Sequence, residues 1–198
     1  MNAVKCQYGT IARMRRAIAL ATAIVLLVLI AWAVVPGAQR RVFPGRRRVS
    51  PHESTTGAVD GAKLSIVYGR PSMRGRQIFG ALVPYDELWC PGADEATMLT
   101  TDRPLQFDGL NLGAGEYSLW MRPTETEWTL VFNSDAHTFH TRHTARDDVG
   151  TVKLVKSALA SPVEQLTFSI EKNTGKPGGA IVMTWATTRV SAPFVVGR

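Results

Sequence analysis

The chain has 198 residues, of which 45% are hydrophobic, and a formal net charge of +7. This length allows one sizeable domain or two small ones. Residues 1–50 hold nine basic residues and no acidic one, whereas residues 51–198 hold 14 basic and 16 acidic residues. A nucleic-acid-binding domain needs an excess of basic residues on a folded face, so this charge distribution argues against a nucleic-acid partner.

The N-terminal segment is predicted to direct the chain to the membrane. Residues 1–16 form a basic tail, and residues 17–35 contain no charge over a length that just crosses a hydrocarbon core of about 30 Å as a helix. The sequence Ala-Trp-Ala at 31–33 is typical of a leader cleavage site. We therefore expect a transmembrane anchor or signal helix, with the rest of the chain extracytoplasmic or exported after cleavage.

Residues 36–60 are predicted to be a basic linker rich in proline and glycine, followed by one domain at 61–198. Five arginines between positions 40 and 48 indicate a solvated linker or a polybasic stretch that lies on anionic lipid. Cys6 precedes the apolar stretch and Cys90 follows it, so an intramolecular disulfide is not expected.

After residue 35 the sequence predicts short strands and no long helix. Leu64, Ile66 and Tyr68 alternate with polar residues, and the same period recurs along the chain. The predicted strands are 63–68, 96–101, 105–108, 116–122, 128–133, 151–156, 164–171, 179–186 and 189–195. Eight or nine short strands with turns between them predict an all-β fold, an antiparallel β-sandwich.

The segment 68–100 is the candidate functional region, because a long loop rich in charge and aromatic residues inside a compact domain is often functional. Arginines there would bind an anionic or sugar-like ligand, and aromatic rings would stack on it. In the structural alternative, the arginines pair with carboxylates and fix the loop. The predicted ligand-binding residues are Arg70, Arg76, Tyr85, Trp89, Asp94 and Glu95.

Three other groups of residues have weaker functional interpretations. Asp94 and Glu95, with Asp86 or Glu87, could supply a general acid and base. Cys90 could be a nucleophile, although a lone cysteine is more often a small buried apolar residue. The third group is the set of histidines His137, His140 and His143, which are spaced three residues apart. They are interpreted as part of a solvated loop, with a metal site as the alternative. No metal or other cofactor is predicted.

A longer pattern runs through the candidate region. It reads Y-x-R-P-S-x-R-G-R-x-I-F-G-x-L-V-P-Y-x-x-x-W at 68–89, G-A-x-E-A-T at 92–97 and A-G-x-Y-S-L at 114–119. This pattern resembles the bacterial family known as domain of unknown function 2911, over roughly residues 50–186. The resemblance implies an exported protein with a β-rich domain and no settled activity. Cys90, Asp94 and Asp86 stand where the family pattern has arginine, asparagine and glycine, so this chain is locally more acidic.

Together these observations favour a non-catalytic ligand-binding or interaction module in the bacterial cell envelope. The alternatives are an extracytoplasmic hydrolase that uses the acids of the 68–100 segment, and a structural partner of another envelope protein. The expected partners are the membrane, through the N-terminal helix, and a small-molecule or protein ligand.

Overall fold

The computed structural model describes residues 50–197, so the predicted basic tail and apolar helix lie outside the described residues. Within residues 50–197 no helix is long and apolar enough to cross a bilayer. The described part contains nine strands and one 3-10 turn at Ala145–Asp147. The strands are β1 His52–Val59, β2 Ala62–Gly69, β3 Met98–Thr101, β4 Leu105–Phe107, β5 Leu110–Leu112, β6 Gly115–Pro123, β7 Trp128–Asn133, β8 Asp148–Lys172 and β9 Gly179–Val196.

Hydrogen bonds join the nine strands into one antiparallel sheet in the order β1-β2-β3-β6-β7-β8-β9-β4-β5. The all-β class and the antiparallel pairing are confirmed. The sheet is continuous, whereas the predicted sandwich would consist of two separate sheets. Continuity arises because β8 and β9 are long: β8 pairs with β7 through its first part and with β9 through the rest, and the end of β9 pairs with β4.

The sheet curls so that its first two strands approach the second half of β8. The Tyr68 hydroxyl accepts a hydrogen bond from the Phe168 backbone N–H at 3.1 Å, and the two rings meet edge to face at 5.1 Å. Thr55 Oγ1 donates to the Phe168 carbonyl at 3.0 Å. One main hydrophobic core fills the space inside this curl, and the alternating side chains of β2, β6 and β7 supply much of it.

Strands β8 and β9 each join two predicted strands, and β1 and β5 lie outside every predicted strand. Strand β1 lies within the range predicted as linker, so the sheet begins ahead of residue 61. Its side chains are mostly polar and exposed, and its place is fixed by pairing with β2 along the full length of both strands. The short β5 pairs only with β4. Strand β1 is mostly polar and β5 has only three residues, Leu-Asn-Leu, so neither gives the sustained hydrophobic alternation that identifies a half-buried strand.

The segment between β2 and β3 has almost no regular structure, yet its backbone is held at several points. The Met73 N–H donates to the Glu164 carbonyl at 2.8 Å. Trp89 and Met121 exchange two backbone hydrogen bonds of 2.7 and 2.8 Å. Because buried backbone groups need partners, these bonds attach the segment to β6 and β8 and place its side chains at defined positions.

Candidate functional site

The segment after β2 forms one wall of a cavity of about 630 Å³, here named the arginine pocket. Residues of β8 and β9, residues 50 and 51 ahead of β1, and His140 from the loop after β7 form the rest. The lining includes Arg70, Arg74, Arg76, Ser72, Trp89, His140, Gln165 and Trp185. None of the lining residues is an aspartate or glutamate. The pocket therefore combines an excess of positive charge with aromatic surface, the usual composition of a site for a small organic anion.

Arg70 holds three parts of the fold together. Its guanidinium lies 2.7 Å from the Glu53 carboxylate on β1, and it donates to the Leu166 carbonyl at 3.2 Å and to Thr167 Oγ1 at 2.9 Å on β8. Arg70 therefore attaches the segment to β1 and β8, and the carboxylate it contacts is on β1. A guanidinium has five N–H donors, so Arg70 keeps donors for a ligand while its orientation is fixed.

Arg76 and Arg74 differ in how they are held. Arg76 donates to the carbonyls of Met73 at 2.9 Å and Ser72 at 2.8 Å, so its side chain closes the turn between them. Arg74 has a φ of 51°, in the left-handed region, and its backbone N–H donates to the Glu164 carboxylate at 2.9 Å. Within residues 50–197, its guanidinium makes no hydrogen bond or ion pair. Arg74 is thus the pocket arginine with the most donor capacity to offer.

The aromatic part of the pocket is a rigid cluster. The rings of Trp89 and Trp185 are nearly parallel, with centroids 6.1 Å apart and an angle of 15°. Phe79 meets both rings edge to face, at 6.2 Å from Trp89 and 6.1 Å from Trp185. Trp185 Nε1 donates to the Glu164 carbonyl at 3.3 Å, which fixes the orientation of its ring. A preformed aromatic surface costs little entropy when a flat ligand packs on it.

His140 reaches the pocket from the loop after β7. Its ring Nδ1 lies 2.5 Å from the Asp94 carbonyl, which can only accept, so Nδ1 carries a proton. The His140 backbone N–H donates to the same carbonyl at 3.1 Å. The Asp94 side chain lies elsewhere: its carboxylate is 3.4 Å from His52 Nε2, and the Glu95 carboxylate is 3.2 Å from the same nitrogen. The proposed acid pair thus contacts His52, and neither acid lines the arginine pocket.

Two further predicted residues also lie outside the pocket lining. Tyr85 packs over Gly80, where an added Cβ would come within 2.8 Å of the tyrosine ring. Cys90 is buried; its thiol donates to the Leu119 carbonyl at 3.6 Å and accepts from the Thr97 N–H at 3.4 Å. Burial raises the pKa of this thiol to about 12, so it is protonated at neutral pH and unsuited to act as a nucleophile.

The three spaced histidines have separate partners. His137 lies 3.1 Å from the Glu116 carboxylate, and His143 lies 2.8 Å from that of Asp148, whereas His140 contacts Asp94. In the part of the chain that the structure describes, no three His, Cys, Asp or Glu side chains are grouped so that they could hold a metal ion.

The structure therefore brings together three of the six predicted residues, Arg70, Arg76 and Trp89. Arg74, His140 and Trp185 also line the pocket, and none of them is among the predicted ligand-binding residues. Arg74 lies in the same R-G-R sequence as Arg76, and this sequence is the signal that could have identified Arg74 as a pocket residue. Trp185 shares one face of β9 with the core residues Ile181 and Met183 and gives no signal, because a core tryptophan beside a cavity has the same sequence pattern as one in the middle of the core.

Comparison with known proteins gives one match. The model of a family described as "Protein of unknown function (DUF2911)" matches residues 50–194, which covers the whole arginine pocket. Neither the curated proteins nor the solved structures contain a match to this chain.

Proposed function

We propose that this chain, which belongs to the DUF2911 family of proteins of unknown function, is a ligand-binding module that takes a small organic anion with an aromatic or sugar ring in the arginine pocket. One observation carries the proposal. Three arginines and a histidine line a single cavity whose floor is a pair of stacked tryptophans, and no carboxylate shares that lining.

In this arrangement the charged side chains and the aromatic rings bind different parts of the ligand. Arg74 meets the acidic group of the ligand, with the remaining donors of Arg70 and Arg76 beside it. The exposed part of Trp89 meets the ring, because an apolar or sugar ring packs well on an indole face. Planar guanidinium groups bind carboxylates and phosphates in two-point contacts, so both acid types fit this site.

Binding by the full-length chain can be measured by isothermal titration calorimetry with three probe anions: benzoate, glucuronate and glucose 6-phosphate. Benzamide and glucose serve as uncharged counterparts. At least one anion is expected to bind at least about tenfold more tightly than its counterpart, a difference of about 1.4 kcal/mol. If none of the three anions binds at millimolar concentration, or if an uncharged counterpart binds equally well, the proposal is wrong.

The variant Arg74→Ala is expected to weaken anion binding about tenfold or more, because it removes the pocket guanidinium that has no partner within the described residues. Its melting temperature should stay close to that of wild type, since an exposed side chain without partners contributes little to stability. Arg142→Ala is the matched control, as it removes an exposed arginine outside the pocket lining. Equal weakening in both variants would indicate a general effect of charge and contradict the assignment.

We also propose that the domain acts in the cell envelope, on the extracytoplasmic side of the membrane. The uncharged stretch at 17–35 and the basic residues directly before it support this proposal. Added protease should digest the domain in intact spheroplasts. Protection until the spheroplasts are lysed would place the domain in the cytoplasm.

A further inference from the structure

A second cavity, here named the outer pocket, lies on the outer face of β6, β7 and β8. On these strands Leu119 and Leu130 point into the main core, whereas Trp120 and Val131 point the other way, into a small separate core with Cys90. The cavity has a volume of about 310 Å³ and shares no lining residue with the arginine pocket. It is therefore a distinct candidate site.

One end of the outer pocket is a fixed group of hydrogen-bond acceptors. Asp148 Oδ1 accepts from Asn133 Nδ2 at 2.8 Å and from His143 Nε2, also at 2.8 Å. Asn133 is buried and donates as well to the Thr144 carbonyl, and the His143 ring packs edge to face on Trp120 at 5.0 Å. Asp148 Oδ2 accepts no hydrogen bond from any residue between 50 and 197. Because its neighbours fix the carboxylate, this oxygen is held ready for a donor from outside.

The other end of the outer pocket is positively charged. Arg122 lines the cavity and is exposed, and its guanidinium makes no hydrogen bond or ion pair within the described range. In the sheet Arg122 pairs with Thr129, and Asp148 pairs with Asn133. These two positions lie four residues apart along β7, which is about 13 Å at the usual rise of a strand. The cavity therefore has a guanidinium near one end and a carboxylate near the other.

The wall between the two ends is mixed in character. The hydroxyl groups of Thr129 and Thr151 line it, and in the described part of the chain neither donates a hydrogen bond. Leu88 and Val131 supply apolar surface. A concave site with mostly apolar walls and a few fixed polar groups is the usual form of a small-molecule site, in which the polar groups set the orientation of the ligand.

We infer that the outer pocket binds a small zwitterion, a short peptide, with its ammonium group at Asp148 and its carboxylate at Arg122. Opposite charges at the two ends match such a ligand in one orientation, and the apolar wall accommodates an aliphatic side chain between them. Arg122 also disfavours a cation at its end, so a simple amine fits less well than the zwitterion.

The dipeptide alanyl-leucine tests this inference by titration calorimetry on the full-length chain. Two blocked forms accompany it: N-acetyl-alanyl-leucine lacks the ammonium group, and alanyl-leucine amide lacks the carboxylate. Wild type is expected to bind the free dipeptide at least tenfold more tightly than either blocked form. If the dipeptide does not bind at millimolar concentration, or if blocking either end has no effect, the inference is overturned.

Variants of lining residues test whether the dipeptide binds in the outer pocket. Arg122→Gln should weaken binding of the free dipeptide about tenfold and leave binding of its amide unchanged, because only the free form presents a carboxylate. Arg142→Gln, outside both pockets, and Arg74→Ala, in the arginine pocket, should bind the dipeptide like wild type. If Arg74→Ala abolishes dipeptide binding and Arg122→Gln does not, the zwitterion occupies the arginine pocket and the outer pocket is not its site.

Discussion

Trp185→Ala is expected to destabilise the domain by about 3 kcal/mol and to remove anion binding. Trp185 is buried, with 2% of its surface exposed, and it contacts both Trp89 and Phe79. Truncation of a buried tryptophan usually costs about 3–5 kcal/mol. The lower end of that range applies here because the new space adjoins the arginine pocket, so water can fill it. The aromatic floor is lost in the same step, since Trp89 no longer has a ring to stack on.

Thermal unfolding of the full-length chain, followed by near-ultraviolet circular dichroism, measures this effect. For a domain of this size, a loss of about 3 kcal/mol lowers the melting temperature by about 10 °C. Val195→Ala is the matched control, because this residue lies on the same strand β9 with 41% of its surface exposed. It should shift the melting temperature by no more than about 2 °C. A Trp185→Ala variant as stable as Val195→Ala would contradict the expectation that the aromatic cluster stabilises the domain.

Trp185→Phe separates the two roles of this tryptophan. Phenylalanine keeps an aromatic ring in the cluster and loses the Nε1 hydrogen bond to the Glu164 carbonyl. We expect it to recover about half of the lost stability and part of the anion affinity. Full loss of binding with recovered stability would indicate that the ring orientation set by Glu164 matters more for the ligand than the presence of a ring.

The hydrophobic period predicted the strands that face the core on one side and solvent or the small core on the other. Strand β7 has the predicted bounds, and β2 and β6 extend the predictions by a residue or two. The single sheet could not be predicted, because a period of two identifies a strand and carries no information about its neighbours. The second half of β8 and the start of β9 alternate as well, and only the pairing shows that each belongs to a longer strand.

The candidate site was partly predictable for a similar reason. The density of arginines and aromatic residues after β2 is local and visible in the sequence, whereas the partner of each side chain depends on tertiary contacts. Arg70 bonds Glu53 and Thr167, which lie 17 and 97 residues away. Asp94 and Glu95 follow the pocket residue Gly92 closely in sequence, yet their carboxylates lie beside His52 on β1. The contact of both carboxylates thus lies on a strand that the sequence did not predict.

The two pockets use charge differently. In the arginine pocket the guanidinium groups of Arg70 and Arg76 are held by bonds to the protein, and that of Arg74 has no bond within residues 50–197. In the outer pocket the carboxylate of Asp148 is held in the same way, and the Arg122 guanidinium has no bond within those residues. Charge of one sign in the arginine pocket favours anions, whereas opposite charges at the two ends of the outer pocket favour ligands with two charges of a given order.

Gly69→Ala is expected to destabilise the domain by about 3 kcal/mol and also to weaken anion binding, although it removes no binding group. Gly69 ends β2, and an added Cβ would lie 2.2 Å from the Ala93 carbonyl oxygen and 2.9 Å from the Ala93 nitrogen. These are backbone atoms, so no side-chain rotation relieves the contact and residues 92–94 must move. Gly92 lines the arginine pocket, and the Asp94 carbonyl holds His140, so the displacement reaches the site.

Gly113→Ala is the matched control for this change. An alanine at position 113 would meet only the Tyr117 hydroxyl, at an ordinary contact distance of 3.6 Å, and its effect on stability should stay within about 0.5 kcal/mol. Thermal unfolding and anion titration of both variants decide the outcome. A Gly69→Ala variant that melts early and binds normally would show that the pocket tolerates movement of residues 92–94. Loss of both properties would show that close packing between β2 and this segment sets the geometry of the arginines, because the arginines themselves are unchanged.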